Sequence, residues 1–184
     1  MTVAAPLAAI LLAACAVAPT RSFAPTSSFV DAPFAIEGRL SVRRGSEGLT
    51  GNFSWQHAPP RDEFAVATPL GQTLAEISGD ASIPRYELRG SDGRREEARD
   101  WTALTERALG APLPVAGLAA WIVGAPHANA AYTIEPDASG RTVVLRQDGW
   151  EIVYAYSDAD AKLPQRLQLS QADIDVRIVV LQRH

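Results

Sequence analysis

The sequence predicts a mainly β domain: an antiparallel sheet with one helical insertion. Three observations predict it. Apolar and polar residues alternate in roughly ten segments, the period of half-buried strands. Connections such as Ser91-Asp92-Gly93-Arg94, Asp137-Ala138-Ser139-Gly140 and Asp148-Gly149 are short, as between antiparallel neighbours. Helical character is confined to one stretch, 96–124, so strands and helices do not alternate and a doubly wound fold is not expected.

The chain opens with MTVAAPLAAILLAAC. The apolar run from Pro6 to Ala14 is too short to span a bilayer and suits the apolar region of a signal peptide. Leu12-Ala13-Ala14-Cys15 resembles the bacterial lipobox, in which the cysteine is lipidated and the preceding peptide removed. Cys15 is the only cysteine, so its lipidation leaves no thiol for a disulfide. Ala16 stands where an Asp retains many lipoproteins in the inner membrane, which points to the outer membrane. AVAPTRSFAPTSSFVDAP has neither strand nor helix period and reads as a tether. The expected division is a signal peptide over 1–14, lipidated Cys15 and tether over 15–33, and one domain over 34–184, long enough for a real core.

Within the domain, FAIEGRLSV alternates as a strand, and LTGNFSWQ places Leu49, Gly51, Phe53 and Trp55 on one face. EFAVATP, QTLAEIS and RYELRG continue the pattern. REEARDWTALTERALG then has Trp101, Leu104 and Leu109 near helical spacing, with Gly110 as the stop. Glu96, Glu97 and Asp100 read as acidic residues favouring the start of that helix. Pro114 is placed to open a second, short helix carrying Val115, Leu118, Ala119 and Ile122, with Gly124 closing it. That helix is apolar nearly all round, so something must cover it. Strands resume in AYTIE, RTVVLRQ, WEIVYAYS, QRLQLSQ and IDVRIVVLQR; Trp150, Ile152, Tyr154 and Tyr156 share one face. A sheet this long curls, and the helices are the natural cover for its concave side. The pattern fits two interiors equally: an apolar cavity, or a core filled by the domain's own side chains.

Catalytic and metal-binding patterns are missing: there is no G-x-S-x-G, H-E-x-x-H, C-x-x-C or phosphate-binding glycine loop, so no enzyme activity, cofactor or metal is expected. His57, His127 and His184 lie far apart and read as solvated surface residues. The net charge is −4 with no basic stripe, so no nucleic-acid partner is expected. Trp55, Trp101, Trp121 and Trp150 read as core aromatics or as the lining of a lipid pocket.

The ordered motifs GRLSV, GNFSWQ, TPLGQT, LGAPLPVAGLAAWIVGAP, DGWEIVYAYS and LPQRLQLSQADIDVRIVV resemble the LolB family, the outer-membrane lipoprotein receptors, over nearly the whole chain. The resemblance implies a half-open antiparallel β-barrel capped by helices, with an apolar cavity for acyl chains and no cofactor. It implies a lipid-anchored monomer at the periplasmic leaflet of the outer membrane. Its partners would be a soluble periplasmic carrier, acylated lipoprotein cargo and outer-membrane lipid. The lining expected for the cavity is Phe53, Trp55, Leu118, Trp121, Ile122, Trp150 and Tyr154. The alternative is an outer-membrane-tethered carrier of another lipid or apolar ligand.

Pro69-Leu70-Gly71 puts a leucine at a hairpin tip, where turns usually carry Asn, Asp or Ser. Read from the residues alone, Leu70 either folds back into the core or projects outward. The resemblance places Pro69, Leu70 and Gly71 in an exposed loop that assists insertion of cargo into the membrane.

Overall fold

The computed structural model describes residues 32–128 and 130–184. The expected signal peptide, Cys15 and most of the expected tether therefore lie outside the described residues. The elements in chain order are β1 (Phe34–Arg44), β2 (Glu47–Ala58), β3 (Arg61–Ala67), β4 (Thr73–Asp80), β5 (Arg85–Gly90), β6 (Arg95–Ala98), α1 (Trp101–Leu109), α2 (Val115–Trp121), β7 (Tyr132–Pro136), β8 (Thr142–Gln147), β9 (Trp150–Ala155), β10 (Arg166–Gln171) and β11 (Ile174–Arg183).

All eleven strands form one sheet in the order β6-β5-β4-β3-β2-β1-β11-β10-β9-β8-β7. Every ladder is antiparallel. Hairpins build two wings, β1 to β6 and β7 to β11, and the one long-range ladder, β1 on β11, joins them. β6 and β7 are the edges and do not pair with each other, so the barrel is half-open.

Turn chemistry explains the hairpins. Asp148 and Gly149 both have positive φ, 52° and 77°, the requirement of the two-residue turn whose twist matches its flanking strands. At Gly38 the sheet leaves no room for a side chain. A Cβ on Gly38 would stand 2.0 Å from the Val179 carbonyl oxygen and 2.9 Å from the Phe53 ring. Gly38 lies opposite Phe53, beside a register shift between Glu37 and Gly38, so the absent side chain lets three strands approach and gives Phe53 its space.

Alternation sends one face of each strand inward. Ile36, Leu40 and Val42 of β1, Phe53 and Trp55 of β2, and Val176, Ile178 and Val180 of β11 are buried. α1 lies against β4, β5 and β6 and buries Trp101, Leu104, Thr105 and Leu109. α2 is covered on the sides that its pattern left apolar: Leu118, Ala119, Ala120 and Trp121 are all buried.

The helical stretch is shorter than the sequence suggests. Residues 95–98 form an eleventh strand, so Glu96 and Glu97 do not start a helix. Glu97 pairs with Arg85 at 2.7 Å across the ladder, and Glu96 pairs with Arg107 of α1. Only Asp100 acts as read: its carboxylate accepts the Ala103 N–H at 3.0 Å as the N-cap. Gly110, at φ 79°, ends the helix by donating to the Glu106 carbonyl.

Candidate functional site

The concave face gathers the residues expected to line a cavity. Phe53 and Trp55 reach it from β2, Trp150 and Tyr154 from β9, and Leu118, Trp121 and Ile122 from α2 and its C-cap. All seven are buried in one apolar cluster. Their ring contacts fall into two groups. Trp55 and Phe53 pack on Phe64 at centroid distances of 6.2 and 6.0 Å, and Trp121 packs on Trp150 at 6.4 Å. The first group belongs to the β1–β6 wing, the second to the opposite wing and the helix that covers it.

Polar pins hold this apolar interior. Gln147, on β8, is 2% exposed, and its amide spends its full capacity. Its oxygen accepts from the Trp121 indole at 2.9 Å and the His127 N–H at 3.0 Å. Its nitrogen donates to the His127 and Ala130 carbonyls at 2.9 and 3.3 Å. Arg183 donates to the carbonyls of Ile122 and Pro164 at 3.1 and 2.7 Å, which ties the end of α2 to β11. The Thr105 hydroxyl accepts the Leu113 N–H at 2.8 Å and fastens the link between the helices to α1. Sequence reasoning missed these residues. For Gln147 the signal was present, as a polar side chain at an inward position of an alternating strand.

His57 corrects another expectation. It is not on the surface: it is 9% exposed, its ring stacks on Phe34 at 4.8 Å, and its Nδ1 lies 2.7 Å from the Asp62 carboxylate. The same carboxylate oxygen accepts the Trp55 indole N–H at 2.8 Å. Pairing across the β2–β3 hairpin sets His57 opposite Asp62 and makes this possible. His127 is half-buried against Asp148, and His184 is exposed.

Tyr154 differs from every other buried polar side chain among the described residues. Its hydroxyl is buried and has no hydrogen-bond partner. Burial pushes the phenol well above its ordinary pKa, so it stays a neutral donor. The neighbouring Tyr156, by contrast, donates to the Thr142 carbonyl at 2.9 Å.

The Leu70 loop is an ordered turn. Thr68 N–H donates to the Gln72 carbonyl at 2.8 Å, Gly71 N–H to the Thr68 carbonyl at 2.9 Å, and Gln72 N–H to the Thr68 hydroxyl at 3.1 Å. Gly71 takes φ 89°, which a side chain would resist. Pro69 and Gly71 are exposed, and Leu70 is 93% exposed. Of the exposed large apolar residues among the described residues, Leu70, Ile83, Val153 and Leu181, the first two sit in hairpin connections, at opposite ends of β4.

Among the described residues no group of three or more His, Cys, Asp and Glu side chains is placed to hold a metal ion, and no helix is long and apolar enough to cross a membrane. A surface hollow of about 430 Å³ lies over β2, β3, β4 and β5. Ser54, Gln56, Glu63, Glu76 and Arg89 line it, a polar setting unsuited to hydrocarbon.

The family model for "Outer membrane lipoprotein LolB" matches residues 32–182. The outer-membrane lipoprotein LolB of Chromobacterium violaceum is 37% identical over 174 residues, covering 94% of this chain and 92% of its own. That of Azoarcus sp. (strain BH72) is 36% identical, covering 95% and 90%, and that of Thiobacillus denitrificans 38% identical, covering 84% of each. A looser likeness, at TM-score 0.45 and 5% identity over 83% of this chain and 84% of the other, is to a lipoprotein-sorting domain from Vibrio parahaemolyticus. The chain therefore belongs to the LolB family, outer-membrane lipoproteins that serve lipoprotein localisation.

Proposed function

We propose that this domain accepts acylated lipoproteins from a soluble periplasmic carrier, shelters their acyl chains against its concave face, and inserts them into the outer membrane without nucleotide hydrolysis. Acylated Cys15 anchors it at the periplasmic leaflet. The observation that carries the reading is Leu70, 93% exposed on a turn whose hydrogen bonds hold it there.

The magnitudes fit. A single acyl chain of about sixteen carbons is worth on the order of 10 kcal/mol when shielded from water. Cargo with several chains cannot cross an aqueous space bare, and the apolar cluster behind α2 is the shelter this fold offers. Trp121, Leu118 and Ile122 cover that surface, so chains enter by displacing the helical cover. Leu70 in lipid contributes only about 1.5–3 kcal/mol. That is too little to anchor the protein but enough to bias where bound cargo is released.

The test is Leu70→Glu in the full acylated chain, held in phospholipid vesicles and given carrier loaded with labelled lipoprotein. Cargo should leave the carrier, remain on the receptor, and reach the bilayer about tenfold more slowly. Delivery at the native rate overturns the role of Leu70. Failure of the native protein to take cargo from the carrier overturns the receptor reading.

A further inference from the structure

We propose that Tyr154 is the polar contact of the lipid site: its phenol donates a hydrogen bond to an ester carbonyl at the glyceryl end of a bound acyl group. The inference rests on the acyl-binding reading above and deepens it by naming which part of the ligand is recognised.

Tyr154 lies on the inward face of β9, next to Ile152 and cross-strand to Leu167, in the same apolar cluster as Trp121 and Trp150. Its hydroxyl has no partner, whereas the buried side chains of Gln147, Trp55, Trp121 and Thr105 are all satisfied. A buried donor without an acceptor weakens the fold, and a phenylalanine of nearly the same shape would remove that cost. The chain itself offers that hydroxyl no acceptor, so one can reach it only from outside the chain. The acceptor must arrive with a ligand that tolerates the apolar walls around it. A hydrocarbon chain brings none, and a phosphate or carboxylate would need a cation at the site. An acyl ester fits both demands, because its carbonyl is neutral and its chain is apolar.

The position also gives the ligand a direction. Along β9, Trp150 stands beside the tip Asp148-Gly149 and Tyr154 four residues farther on, about 13 Å away at strand rise. With the carbonyl at Tyr154, the glyceryl head faces the β9–β10 connection, near Gly124 and Pro164, and the hydrocarbon runs back toward Trp150 and Trp121.

The experiment compares two probes on the full chain: a cysteinyl peptide carrying two palmitoyl esters on its S-glyceryl group, and the same peptide with dialkyl ether chains that lack carbonyls. The native protein should bind the ester form about fivefold more tightly, and Tyr154→Phe should bind both forms alike. The thermal midpoint of the ligand-free Tyr154→Phe protein should equal or exceed the native value. An ester preference that survives in Tyr154→Phe, or equal binding of both probes by the native protein, overturns this inference alone. A lowered midpoint does the same, since it would show that the hydroxyl has a partner, such as a water, in the empty protein. Binding of neither probe by the native protein overturns the acyl-binding reading along with it.

Discussion

Replacing Gln147 by Leu tests whether the helical cover is pinned by one amide. The substitution conserves volume roughly and removes all four hydrogen bonds of a side chain that is 2% exposed. The losses are unequal. The Trp121 indole is fully buried, so its N–H is left with no acceptor and no water, while the part-buried main chain near His127 can turn to solvent. A stranded buried donor costs about 1–3 kcal/mol, and the weakened main-chain contacts bring the expected loss to about 2–4 kcal/mol. For a domain of this size that is about 5–15 °C in thermal midpoint. Denaturant titration gives the free energy, and hydrogen exchange over 118–130 reports whether the cover loosens before the sheet. A cycle with Trp121→Phe isolates the pair: the second substitution should cost about 1 kcal/mol less once Gln147 is gone. A loss below about 0.5 kcal/mol, or a cycle that adds without coupling, would refute the assignment.

Leu70→Glu should leave stability within about 0.5 kcal/mol of native by denaturant titration, because the side chain is almost wholly exposed. Any slowing of cargo delivery then belongs to the loop rather than to unfolding. Gly38→Ala should destabilise by at least ~3 kcal/mol, measured the same way, because its Cβ would collide with the Val179 carbonyl at 2.0 Å rather than with a side chain able to move. Asp137 accepts from the Ser139 hydroxyl, then from Arg141 and two backbone N–H groups, and these hold its pKa well below the ordinary carboxylate range. A depressed folded-state pKa means its contribution is present above about pH 4 and lost as pH falls below that. Asp137→Asn should therefore flatten the acid limb of a stability–pH curve and leave its slope near neutrality unchanged.

Much of this architecture is legible in the residues because strand alternation and turn chemistry are local signals. Trp150, Ile152 and Tyr154 do share a buried face, and Ser91 to Arg94 does make the turn between β5 and β6. β6 was hidden because four residues are too few to show a period, and Arg-Glu-Glu-Ala favours helix until Tyr86 to Arg89 supplies a ladder. His57 reads as a surface residue until its hairpin brings Asp62 across from it. Whether a buried group is satisfied is equally invisible in sequence: Gln147 and Tyr154 both occupy inward positions, yet one is fully bonded and the other has no partner. The order of the sheet was least legible, since β1 meets β11 from the far end of the domain.

The missing ladder between β6 and β7 has a mechanical meaning. α1 is bound to one side, through β4, β5, β6 and the Arg44–Glu106 pair. α2 is bound to the other, through Gln147, Trp150 and Arg183. The molecule is thus hinged like a book along β1 and β11, with half of the clasp sewn to each board. Because no ladder joins β6 to β7, a change in the gap between them breaks no rung of the sheet, and the segment between the helices, fastened to α1 by Thr105, ties the two boards together. The two boards can therefore shift against each other at their free edges while the spine stays whole.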